Sequence, residues 1–158
     1  MILTDPVILR ERLASARTIA VLGAHSEPSR PAFYVPDYLF RQGYRVLPVN
    51  PALTGAALWG EGVGATLSAF EQDDVDIVDV FRRGEALPGH VDEVLACTAA
   101  QVARGRGAPL VWFQQGIVNN AVANQLSAAG VDVVQDRCTL ADHRAWGIAR
   151  IVKPERRP

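Results

Sequence analysis

The chain has 158 residues, 49% of them hydrophobic and 21% charged, with a formal net charge of -1, the size and balance of one soluble globular domain. Near-neutral charge excludes binding to nucleic acid or an anionic membrane by bulk attraction, so any anion site has to be built from locally placed arginines. No apolar run approaches the roughly 18 residues of a membrane span, and the opening MILTDPVILRERLASAR lacks a basic segment followed by an apolar one, which points to a cytoplasmic protein.

Thr4, Asp5 and Pro6 read as a helix start, with Thr4 as the cap, Pro6 in the first turn, and Ile8, Leu9, Leu13 and Ala16 on one apolar face. TIAVLG, residues 18–23, is short, β-rich and apolar throughout, as a strand covered on both faces would be. Residues 31–42 carry Val35, Tyr38 and Leu39 on one helical side, and Gly43 suits the left-handed residue that ends a helix. YRVLPVN is the second strand. Residues 51–74 are glycine-rich and weakly periodic, an irregular crossover with one short helix near Leu67 to Phe70.

VDIVDVF is the third strand, and residues 90–104 form a helix with Val91, Val94, Leu95 and Val102 on one side. APLVWFQ is the fourth strand. Residues 117–129 repeat the helical pattern through Val118, Val122 and Leu126, end at Gly130, and lead into VDVVQ as the fifth strand. Residues 1–150 are expected to form one domain, and residues 151–158, with the basic, proline-ended KPERRP, a flexible tail. The recurring strand, helix, glycine pattern predicts an α/β, Rossmann-like, doubly wound, mainly parallel five-stranded sheet with helices on both faces. Right-handed crossovers then gather the loops beginning at Gly23, Asn50, Phe81, Gln115 and Gln135 at one sheet edge, where ligands bind.

The first of these loops suits a phosphate. Gly23 allows the turn, Ser26 and Ser29 offer hydroxyls, and Arg30 beside Pro31 places a cation at a helix start, a conflict with the helix dipole that an anion would resolve. The second strand ends in Asn50 and Pro51, where an NAD site usually has an acid for the ribose hydroxyls; Asn50 also suits a plain turn. Arg82 and Arg83 follow a buried strand, so at least one can face the edge, and Gly116 permits close backbone approach with exposed amides near Ile117.

Cys97 and Cys138 are too few for a disulfide framework, and with His25, His90 and His143 they form no metal-ligand spacing. His25 and the segment DRCTLADH tempt an acid-base or nucleophilic reading, but a small buried cysteine is the simpler role for Cys138, and for Cys97 on its apolar helix. No catalytic constellation emerges.

The series TIAVLGAHSEPSRPAF, GYRVLPVNP, VDIVDVFRR, VWFQQGIVN and GVDVVQDRC, in that order from about Arg17 to His143, resembles the small single-domain CoA-binding proteins, relatives of the CoA-binding domain of the succinyl-CoA synthetase α subunit. The resemblance implies CoA across the carboxyl ends of the strands. It brings Gly23, Ala24, His25, Ser26 and Arg30 to the phosphorylated ADP end and Asn50 and Pro51 beside the nucleotide. It sets Val80, Phe81 and Arg82 by the adenine or upper pantetheine, and Gln115, Gly116 and Ile117 along the pantetheine path.

The chain lacks the second domain and partner that synthetase chemistry requires, so the expectation is noncatalytic binding of CoA or an acyl-CoA, as a carrier, sensor or accessory subunit. An NAD(P)-dependent oxidoreductase is the alternative, disfavoured by the missing GxGxxG and strand-end acid. An interaction module with a vestigial nucleotide groove is a third. Cys138, at the end of the fifth strand, also lies where a mixed disulfide with the CoA thiol can be imagined.

Overall fold

The computed structural model describes residues 1–153, so residues 154–158 of the expected tail lie outside the described residues. In chain order the elements are α1 (Pro6–Ser15), β1 (Thr18–Leu22), α2 (Pro31–Arg41), β2 (Arg45–Val49), a short antiparallel hairpin of β3 (Ala57–Leu58) and β4 (Glu61–Gly62), and β5 (Ile77–Val80). They continue with α3 (Val91–Ala103), β6 (Leu110–Phe113), α4 (Asn120–Ala128), β7 (Val133–Val134) and α5 (Thr139–Ala145). Single turns of 3-10 helix cover Pro51–Leu53 and Leu67–Phe70, and a longer one covers Gly84–His90.

The five expected strands pair in parallel in the order β2-β1-β5-β6-β7. Their side chains alternate between two cores, so no strand has a solvent face. One core sets Ala20, Leu22, Val78, Val80, Val111 and Phe113 against Val91, Val94, Val122 and Leu126 of α3 and α4. The other sets Ile19, Val21, Ile77, Leu110 and Trp112 against Leu9, Leu13 and Leu39 of α1 and α2. Helices therefore flank both faces, a doubly wound Rossmann-like α/β fold. The strand order reverses between β1 and β5, and the loops after these two strands part there to open a crevice at the carboxyl edge.

Several local expectations change in the structure. Asp5, not Thr4, caps α1, its carboxylate accepting from the Val7 amide at 2.9 Å, because the oxygen must sit one residue before the first helical position. Ile8 on that helix, and Val102 on α3, face outward rather than into the core. α4 begins at Asn120 instead of residue 117, because Asn119 is extended and its side chain accepts from the Val122 amide. Val118 is consequently exposed. β7 keeps only two sheet residues, and the chain start adds to it: Leu3 N–H donates to Val133 O at 2.8 Å and Val133 N–H to Met1 O at 3.0 Å.

Candidate functional site

The first loop is held by backbone bonds before any ligand is considered. Gly23, at φ +86°, turns the chain out of β1, and a Cβ there would lie 2.8 Å from Phe81 O, so both the conformation and the approach of the β5 loop require glycine. Gly23 and Ala24 donate their amides to Val49 O. Pro36 sits inside α2 without an N–H, which leaves Ala32 O free to accept the His25 amide at 3.2 Å and ties the loop to the helix. Asn50 braces the same loop: its Nδ2 donates to Ala24 O at 2.8 Å while its Oδ1 accepts from the Ala52 amide at 2.9 Å. The turn role of Asn50 is thus occupied on both side-chain atoms.

Between this loop, the β5 loop and the β6 loop lies a groove of about 630 Å³. Gly23, His25, Arg30, Asn50, Phe81, Arg82, Gln115, Gly116 and Ile117, all expected from the sequence, line it. Ala24, Ser26, Pro51 and Val80 do not: Ala24 is buried under the loop, Ser26 and Pro51 face solvent, and Val80 points into the core beside a void of about 10 Å³. Gly84 joins two of the loops, since a Cβ there would meet Val118 O at 2.5 Å and its own carbonyl accepts from Asn119 Nδ2 at 2.8 Å.

Charge is concentrated along the first two loops. Arg30 is the N-cap residue of α2, where its side chain makes no capping bond; neither Arg30 nor Arg83 has a side-chain hydrogen bond or ion pair among the described residues. Pro31 offers no amide and the amides of Phe33 and Tyr34 bond to Arg30 O, which leaves the Ala32 amide as the open donor of that first turn. Arg82 is steered instead. Its Nε donates to His90 Nε2 at 3.2 Å, so His90 carries its proton on Nδ1, which faces Glu93 Oε2 at 3.3 Å. His25 Nδ1 accepts the Glu27 amide at 3.0 Å, leaving Nε2 as the protonated nitrogen of the neutral ring. Tyr34, Val35, Phe81 and Ile117 supply apolar wall, and Glu85 one anion.

The β6 loop differs from expectation. The amides of Gly116 and Ile117 are already used, the first donating to Asp136 Oδ1 at 2.7 Å and the second to Gln114 O at 2.9 Å. Asp136 adopts φ +56° while making that contact. Below the loop, Gln114 lines the groove while only 4% exposed, and its Nε2 donates to Asp79 Oδ1 at 2.5 Å and to Thr139 Oγ1 at 2.8 Å. Thr139 in turn donates to Asp79 Oδ2 at 3.0 Å. Asp79 is wholly buried; burial pushes its carboxyl up to about 7, against the opposing bonds from Gln114 and Thr139.

Cys138 is partly exposed and lines the groove, so it is not the buried residue the simpler reading assigned. Cys97 is buried, and burial pushes its thiol up. Among the described residues no hydrogen bond joins Cys138 to His143, whose Nδ1 is 2.7 Å from Tyr38 Oη in a buried cluster where burial lowers the histidine. No group of three or more His, Cys, Asp or Glu able to hold a metal ion occurs among the described residues, and no helix there is long and apolar enough to cross a membrane.

Sequence reading missed Gln114, Asp79 and Thr139. Two signals were present: an acid inside the apolar VDIVDVF, and the period-two alternation that puts Gln114 on the same face as Trp112, which is level with Asp79.

The sequence and fold have relatives. Residues 17–144 match the family model described as the CoA binding domain. The chain is 36% identical over 136 residues to YneT of Bacillus subtilis (strain 168), covering 85% of this chain and 91% of that one. Among solved structures it is similar to a protein from Thermus thermophilus, with 48% identity, a TM-score of 0.77 and coverage of 90% of this chain and 98% of that one. A hypothetical protein from Pyrococcus horikoshii OT3 has 27% identity, a TM-score of 0.76 and coverage of 90% and 92%. The family match spans every strand of the sheet and the loops that form the groove, and the chain belongs to the CoA-binding domain family.

Proposed function

We propose that this chain binds CoA or an acyl-CoA in the carboxyl-edge groove without transforming it, as a carrier, sensor or accessory subunit. The observation that carries the reading is Arg30, a cation at the start of α2 with no side-chain partner among the described residues, beside the Ala32 amide. Such a pair is disfavoured by the helix dipole unless an anion lies between, and CoA carries a pyrophosphate and a ribose 3′-phosphate. Arg82 and Arg83 extend the positive rim, and no acid stands at the end of β2 to repel a phosphorylated ribose. Phe81 and Ile117 give the pantetheine chain an apolar wall. CoA, when bound, supplies a terminal thiol or thioester; the protein's part is to bind and orient it.

Calorimetric titration of CoA into the wild type and Arg30→Ala tests this. Loss of one charge-assisted phosphate contact should weaken binding by about tenfold or more, with the melting temperature of the free protein unchanged. Equal affinity in the two proteins removes Arg30 from the site.

A further inference from the structure

The geometry points to Gln114 as the specificity-determining group of the groove, its carbamoyl oriented by Asp79 and Thr139 so that Oε1 offers the ligand a hydrogen-bond acceptor. This rests on the groove being the CoA site and deepens that reading. An ionised carboxylate can only accept, so Nε2 must face Asp79 and Thr139, and both contacts are made. Oε1 accepts no bond from the described residues, yet it is not among the polar atoms sealed from solvent without a partner, so the groove is its outlet. An acceptor fixed beside Cys138 and Gln115 selects a ligand N–H or O–H, and the class of ligand implied is one with a secondary amide, such as the pantetheine arm.

Protonating Asp79 from solvent reverses the arrangement. The carboxylic acid then donates to Oε1, the carbamoyl turns over, and the groove meets two N–H donors instead of an acceptor. Asp79 is isolated enough to act alone in this. The strands beside it present Val21 and Trp112 at its register. On α5, Asp142 is bonded to Arg137 and His143 to Tyr38 of α2, while Arg144 lies over the Tyr38 ring. On α2, Asp37 pairs with Arg41; on α1, Arg12 pairs with Asp132; the hydroxyl of Tyr44 bonds to Leu13 O. In the groove, Arg82 is bonded to His90, and His25 to the Glu27 amide. None of these groups bonds to Asp79.

The test compares CoA with adenosine 3′,5′-bisphosphate, which carries titrating phosphate but no pantetheine, from pH 8 to pH 6. Wild-type affinity for CoA should fall about fivefold to tenfold more than that for the bisphosphate, the scale of one hydrogen bond. In Asp79→Asn, which has no carboxyl to protonate, CoA should show no extra pH dependence, with bisphosphate affinity unchanged from the wild type. In the free wild-type protein, the 15N and 1H signals of the Gln114 side-chain amide should titrate with Asp79, whether or not the variant folds. If CoA binds but its pH profile matches the bisphosphate, or the amide signals do not move, this inference fails and the CoA reading stands. If the amide titrates but CoA does not bind, both the CoA reading and the amide-ligand assignment fail.

Discussion

Asp79 places a carboxyl in the middle of an apolar sheet, where burial raises it to about 7 despite two hydrogen bonds. An unfolded aspartate titrates near 3.9. Between these values the folded state holds the extra proton, so this group's contribution to stability falls as pH rises and is most unfavourable above pH 7. Asp79→Asn removes that dependence. Urea unfolding of both proteins should show the variant gaining stability relative to wild type as pH rises from 4 to 8, by up to about 4 kcal/mol at roughly 1.4 kcal/mol per pH unit. A difference that stays constant across this range contradicts the buried, raised carboxyl. Retention of so costly a group beneath the groove fits a role in orienting Gln114 rather than in holding the fold.

At the scale of elements, what the sequence made legible follows from periodicity. Fully apolar runs such as TIAVL and LVWF announced strands covered on both faces, and the helices between them announced the crossovers. Element ends were less legible, because they depend on which polar side chain reaches which amide: Asp5 rather than Thr4 caps α1, and Asn119 starts α4. Asp5→Ala should therefore cost about 1 kcal/mol in urea unfolding and Thr4→Ala only a few tenths; equal losses would contradict the assigned cap. Helix α5 carried a weak signal, since Thr139 and His143 face inward as polar residues and the usual apolar stripe is missing. Nine expected residues reached the groove because they follow strands, whereas Ser26 and Pro51 turn outward on loops whose path no periodicity specifies. Asp79, Gln114 and Thr139 meet only through tertiary packing of β5, β6 and α5.

For the whole molecule, the order β2-β1-β5-β6-β7 puts the crevice where the connections part, and the sequence fills that crevice with arginines although its net charge is -1. Local cations in a near-neutral protein favour a small polyanion over a polymeric one. The central claim, that the groove holds CoA, is tested most directly by thermal unfolding with CoA or NAD. At 100 times its dissociation constant, a ligand stabilises the native state by about 2.7 kcal/mol, or roughly 5–10 °C for a domain of this size. CoA should raise the melting temperature by that amount and NAD at the same concentration should leave it unchanged; a shift with NAD and none with millimolar CoA would contradict the claim.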